Sequence, residues 1–175
     1  SRLPQQFAVV GWSLGGLFAQ RLAIEEQGRV LSLMSIASSP RFIADKEWPT
    51  VAQHVFMQFY YKLSLDIEGT LNEFVSVQLN KNKTPLTLGR IPAQEGLEEG
   101  LKILSEWDLR QGLQHVTQPG CFLFGRLDSI TPARIMTIMK TVYPQFSYVL
   151  FKHSAHMPFM SQQDLFIEEF KRFIQ

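Results

Sequence analysis

A pentapeptide near the start of the chain, Gly11-Trp12-Ser13-Leu14-Gly15, stands between a short apolar run at residues 7–10 and a stretch, 14–24, whose apolar residues recur at helical spacing. That order predicts a strand, a sharp turn and a helix in immediate succession. Glycines flanking a serine at such a turn leave no Cβ atoms to crowd it, and Gly16 extends the small-residue environment. The helix N-terminus behind the turn favours developing negative charge. Ser13 is therefore a candidate nucleophile. The plainer reading, a glycine-rich turn with a solvated serine, leaves the strand before it and the helix after it unexplained.

Residues 30–36 again read as a strand, ended by Ala37-Ser38-Ser39-Pro40. The character changes beyond Arg41: residues 51–63 and 65–79 are helical in pattern, separated by polar loops, with no strand of comparable quality. After Asp108 the alternation returns, with a strand at 121–124, a helix at 132–142, a strand at 148–151 and a closing helix at 162–173. Strands alternating with helices predict an α/β fold, a mostly parallel sheet flanked by helices with its chemistry in the loops at strand C-termini. Residues 1–40 and 105–175 form the expected core, and 41–104 a helical insertion placed to act as a lid.

A chain of 175 residues, 45% hydrophobic and 12% aromatic, carries enough apolar material for one globular domain. Seventeen basic residues against 16 acidic give a formal net charge of +1, so no global field recruits nucleic acid or an anionic membrane. No apolar run has the length to cross a bilayer, and the N-terminus lacks the pattern of a signal peptide. The single cysteine, Cys121, excludes an internal disulfide framework, and a cytoplasmic address is expected. The chain opens without an initiator Met and runs almost at once into a strand, so the expectation is a piece of a longer protein whose N-terminal strands are missing.

A serine hydroxyl needs a base within hydrogen-bond reach, and the base needs an acid to fix its tautomer. Asp128 follows the 121–124 strand in the loop Gly125-Arg126-Leu127-Asp128 and precedes Thr131-Pro132 at a helix start. Alone, such an Asp is a helix cap. Its place between the serine and the last histidines gives it the acid role. His156 follows the 148–151 strand in His153-Ser154-Ala155-His156-Met157-Pro158, with His153 as its competitor for the role of base. No cysteine or carboxylate cluster accompanies the pair, so no metal is expected. His54 and His115 read as surface or capping residues, and Cys121 as a small buried strand residue.

With these residues in place, the chain resembles the α/β-hydrolase superfamily over its whole length, including the order serine, acid, histidine. More narrowly it resembles the pimeloyl-acyl-carrier-protein methyl ester esterase (BioH) family of biotin synthesis. That likeness rests on Gly11 to Gly16, on Ala37-Ser38-Ser39-Pro40 with Glu47-Trp48-Pro49, on Gly100-Leu101-Lys102-Ile103-Leu104 with Asp108-Leu109-Arg110-Gln111, and on His156-Met157-Pro158-Phe159. The Ser-Ser-Pro and Asp-Leu-Arg segments are not required by triad chemistry, which makes them more informative than the turn around Ser13.

The resemblance implies hydrolysis of the methyl ester of a pimeloyl chain on acyl carrier protein, through a Ser13–His156–Asp128 acyl-enzyme route without a cofactor. It implies substrate contacts from Trp12, Ser13, Leu14 and His156, and from Phe74, Val75, Ser76, Val77 and Gln78, which match a Phe-x-x-x-Gln stretch of the family's lid. Phe74 and Val77 fit ordinary helix core equally well. Leu14 supplies the expected backbone N–H of an oxyanion hole. The other half, from a His-Gly-type loop after an earlier strand, has no counterpart here, nor has the tryptophan the family carries in that loop. Two lid positions where the family presents arginines to the acidic carrier are Gly69 and Glu73; Lys62, Lys81, Lys83 and Arg90 are the substitute cations, unless they are simply a solvated face. A broader short-chain carboxylesterase of the same fold, or a catalytically incompetent fragment, are the alternatives.

Overall fold

The computed structural model describes residues 3–78 and 92–175. Four strands, β1 (Phe7–Trp12), β2 (Val30–Ile36), β3 (Gly120–Gly125) and β4 (Ser147–Phe151), form one parallel sheet in the order β1-β2-β3-β4. In β3 all six residues are buried. Phe122 and Phe124 join Leu33 of β2 on one face, while Cys121 and Leu123 join Met34 and Ile36 on the other. This period-two division leaves both faces apolar, so both must be covered by helices.

Helices α1 (Leu14–Glu25) and α6 (Arg134–Val142) cover the first face through Ala19, Ala23, Ile135 and Met139. The second face is covered by α8 (Gln163–Ile174), whose Leu165, Phe166, Phe170 and Phe173 lie along one side of the helix. Fully buried Phe122, Phe124 and Phe151 each contribute roughly 1.5–3 kcal/mol by leaving water. At the β1 edge Val10 stays 42% exposed.

Between β2 and β3 the chain forms α2 (Gln53–Leu65), α3 (Ile67–Gln78), α4 (Gln94–Glu106) and the short α5 (Arg110–Leu113). The three longer helices share a separate core with Phe56, Leu63 and Leu101 at its centre. Asp66 separates α2 from α3: its backbone is extended, and its Oδ1 accepts the Gly69 N–H at 2.9 Å, satisfying a donor the new helix leaves free.

Where the insertion leaves the sheet, its two stems are tied together. Arg41 and Asp108 form an antiparallel bridge, and the Leu109 N–H donates to the Pro40 carbonyl at 2.8 Å. Arg110 reaches Asp108 at 2.7 Å and Asp45 at 2.9 Å, and the buried Trp48 donates its indole N–H to Ser39 Oγ at 2.8 Å. The Ser-Ser-Pro, Glu-Trp-Pro and Asp-Leu-Arg segments thus build this neck. The sequence patterns missed α4, the short α5 and the single turn α7 (Pro158–Ser161), as well as the extension of β1 to Trp12, whose last residues pair with Ser35 and Ile36. Among the described residues no helix is long and apolar enough to cross a membrane.

Candidate active site

Strand register brings the C-terminal ends of the sheet to one edge, pairing Trp12 with Ile36 and Gly125 with Phe151. Ser13 leaves that edge with φ 55° and ψ −121°, and its N–H donates to the Ile36 carbonyl at 2.9 Å. L-residues avoid this backbone region at a cost of about 1–3 kcal/mol, which the surrounding packing sustains. A Cβ on Gly11 would lie 2.1 Å from the Gly15 carbonyl oxygen, and one on Gly16 2.4 Å from Ser38 Cβ. Gly15 departs from the steric expectation: it is exposed, and among the described residues nothing lies within 4 Å of the Cβ it lacks.

His156 Nε2 stands 2.9 Å from Ser13 Oγ, and His156 Nδ1 2.8 Å from Asp128 Oδ2. A carboxylate oxygen only accepts, so Nδ1 carries the proton and Nε2 presents its lone pair to the serine hydroxyl. Asp128 Oδ1 accepts the N–H groups of Ile130 at 2.8 Å and Thr131 at 2.9 Å. Those bonds make a local turn several residues ahead of α6, so the aspartate both organises its own loop and faces the histidine. Asp128 and His156 are 5% and 1% exposed.

The Asp128 and His156 loops are laced together. Arg126 N–H donates to the Phe151 carbonyl and Leu127 N–H to the Ser154 carbonyl, both at 2.9 Å, while a Cβ on Gly125 would sit 1.9 Å from the Ala155 oxygen. Gln162 Oε1 accepts the His153 N–H at 2.9 Å and the Ser154 hydroxyl at 3.1 Å. His153 itself is exposed, as are His54 and His115. Burial pushes the Cys121 thiol up, away from the thiolate that a nucleophile would need. None of these supporting contacts is signalled by a motif in the sequence.

Leu14 is the first residue of α1, so its N–H is among those the helix cannot satisfy internally. Trp12 donates its indole N–H to the His156 carbonyl at 2.8 Å. Phe74 packs at a tilt against Phe59 with ring centroids 5.1 Å apart, beside a pocket lined, among the described residues, by α2 and α3; Val75 is half-buried and Ser76 exposed. The side chains of Val77 and Gln78 lie outside the described residues, as do Lys81, Lys83 and Arg90. Lys62 is not a free cation, because its Nζ binds Glu73 at 2.9 Å. Among the described residues the insertion reaches the start of α1 through α4: a Cβ on Gly100 would stand 3.1 Å from Leu14 Cδ2, and Trp107 packs edge-on to Phe18 with Arg21 lying 4.4 Å over its ring.

Fold and site together define an α/β hydrolase, and a family model described as the alpha/beta hydrolase fold matches residues 3–163. A pimeloyl-[acyl-carrier protein] methyl ester esterase from Legionella pneumophila (strain Corby) is 55% identical over 99% of this chain, which spans 73% of that protein. One from Aliivibrio salmonicida (strain LFI1238) is 35% identical, with 100% of this chain and 71% of that protein covered. The crystal structure of a bromoperoxidase from Bacillus anthracis matches with a TM-score of 0.84 at 19% identity, covering 97% of this chain and 67% of that one, a likeness of fold alone. The chain belongs to the α/β-hydrolase fold family and, within it, to the pimeloyl-[acyl-carrier protein] methyl ester esterases, which are carboxylic ester hydrolases.

Proposed function

We propose that this chain carries the catalytic site of an esterase that cleaves the methyl ester of a pimeloyl chain held by acyl carrier protein, with Ser13 as nucleophile, His156 as general base and Asp128 as the orienting acid. The observation that carries the chemistry is the continuous path from Ser13 Oγ through both ring nitrogens of His156 to Asp128 Oδ2, at 2.9 and 2.8 Å. The 55% identity to the Legionella relative supports the substrate. A cytoplasmic setting fits the lone, buried Cys121.

His156 takes the hydroxyl proton as Ser13 Oγ bonds to the ester carbonyl carbon, and the resulting oxyanion is met by backbone donors that include the Leu14 N–H. As the tetrahedral species collapses, the carbon–methoxy bond breaks and His156 returns the proton, releasing methanol. Water then adds to the acyl-enzyme by the same route and frees the carboxylate, while Asp128 stabilises the charged imidazole without taking its proton. The helical insertion acts as a lid, with α4 seated on Leu14.

The test is stoichiometric labelling by a fluorophosphonate, read by intact mass on the parent chain and on Ser13→Ala, followed by methanol release from methyl-pimeloyl carrier protein. Labelling that disappears in the variant, with methanol produced faster from the carrier-linked ester than from short free esters, is the expected result. An unlabelled but folded parent chain overturns the catalytic reading, and preference for short free esters overturns the substrate.

A further inference from the structure

Residues 12 and 13 grip one histidine from two sides. Ser13 meets the His156 imidazole at Nε2, 2.9 Å away, while the adjacent side chain, Trp12, donates its indole N–H to the His156 backbone carbonyl at 2.8 Å. The indole also lies against the imidazole, with centroids 5.5 Å apart and planes tilted by 56°, and meets Phe159 edge-on at 5.5 Å. His156 sits in the loop between β4 and α7, where no ladder of backbone hydrogen bonds fixes it. Trp12 is the last residue of β1, paired with Ile36 of β2. A carbonyl held by Trp12 is therefore anchored to the sheet beside the nucleophile.

We infer that Trp12 is a positioning residue for His156, acting through its indole N–H on the base loop and not as a contact for the acyl chain. The inference rests on the reading of Ser13 and His156 as nucleophile and base. Neighbouring residues at the end of a strand project in different directions, so a single dipeptide reaches both the reactive nitrogen and the backbone of the same histidine. Trp12 turns towards the second face of the sheet, among Met34, Ile36 and Phe159. Loss of the donor frees the His156 backbone to drift, and small displacements of a base act on the chemical step far more than on substrate binding.

Trp12→Phe keeps an aromatic ring beside Phe159 and deletes the donor; replacing the indole with a benzothiophene ring at position 12 does so without changing its shape. Both variants are compared with the parent chain for kcat and KM on a short and a long p-nitrophenyl ester, and by NMR of 15N-labelled histidine. The expected result is a kcat lower by roughly tenfold on both esters with KM within about twofold, and displaced His156 ring resonances in both variants. A KM that rises on the long ester alone, with kcat and the His156 resonances preserved, overturns the proposal in favour of an acyl contact. Unchanged kinetics and resonances in the benzothiophene variant overturn it as well. If the parent chain neither labels nor turns over, the reading of Ser13 fails, and the His156 resonances still decide the role of Trp12: displacement supports it, and constancy overturns it.

Discussion

Asp128 divides its two oxygens between two tasks: Oδ2 faces His156 Nδ1 at 2.8 Å, while Oδ1 accepts the N–H groups of Ile130 and Thr131 at 2.8 and 2.9 Å. Asn in place of Asp can preserve one set of these contacts only by presenting an amide N–H to the other, and an N–H facing Nδ1 favours the wrong tautomer. Asp128→Asn should fold and yet react with a fluorophosphonate about four orders of magnitude more slowly than the parent chain, as in comparable triads. Stopped-flow labelling together with a near-ultraviolet circular dichroism spectrum checks both halves of that statement.

The glycines around Ser13 should respond very differently to a methyl group. Gly11→Ala drives a Cβ to 2.1 Å from the Gly15 carbonyl oxygen, a backbone atom that cannot step aside. Gly15→Ala meets nothing within 4 Å among the described residues and lies in the first turn of α1, where alanine is the better helix former. Urea unfolding should show Gly11→Ala destabilised by more than about 2 kcal/mol, and Gly15→Ala stabilised by roughly 0.5–1 kcal/mol.

Ser13 carries a strained backbone for the sake of its side chain. At φ 55° a glycine is at ease and an alanine is not. Ser13→Gly and Ser13→Ala should both abolish covalent labelling, but only the glycine variant should gain stability, by about 1 kcal/mol. A difference in thermal midpoint between the two variants is the measurement, and equal midpoints would show that the turn stores no strain.

Acid should loosen the neck of the insertion. The Arg110 guanidinium holds the Asp108 carboxyl below its ordinary 3.8. For Asp45, burial pulls upward, but the N–H of Glu47 and the Arg110 side chain outweigh it and the net displacement is again downward. Both groups are depressed in the folded chain, so their contribution is fully present above the unfolded value and disappears as pH falls through the folded values. Asp108→Asn should therefore lower the thermal midpoint near pH 7, with the gap from the parent closing as pH falls below the ordinary carboxylate value of 3.8 and also narrowing in salt. A gap independent of pH would sink the electrostatic account of the neck.

Much of the site was legible because its signals are local or ordinal. The strand, turn and helix around Ser13 follow from a few adjacent residues, and the chain order of Ser13, Asp128 and His156 needs no coordinates. Chain position left His153 as a competitor, and the family resemblance singled out His156. Both follow β4 within a few residues, and only the path of the loop exposes one and buries the other. The insertion was readable as helix over α2 and α3, whereas α4, which reaches Leu14 through Gly100, carried no helical reading.

By itself the sequence determined the alternation of strands and helices, the fully apolar β3 that demands cover on both faces, and the candidates for serine, acid and histidine. Those properties live in hydrophobic periodicity and chain order, which are one-dimensional. Only the tertiary structure decided that Trp12 holds the carbonyl of a residue 144 positions away, that the Asp128 and His156 loops are laced together, and that Lys62 is spent on Glu73. Contacts of that kind depend on strand register and loop path, and a hydrogen bond forms or fails within a few tenths of an ångström that no spacing in the sequence encodes.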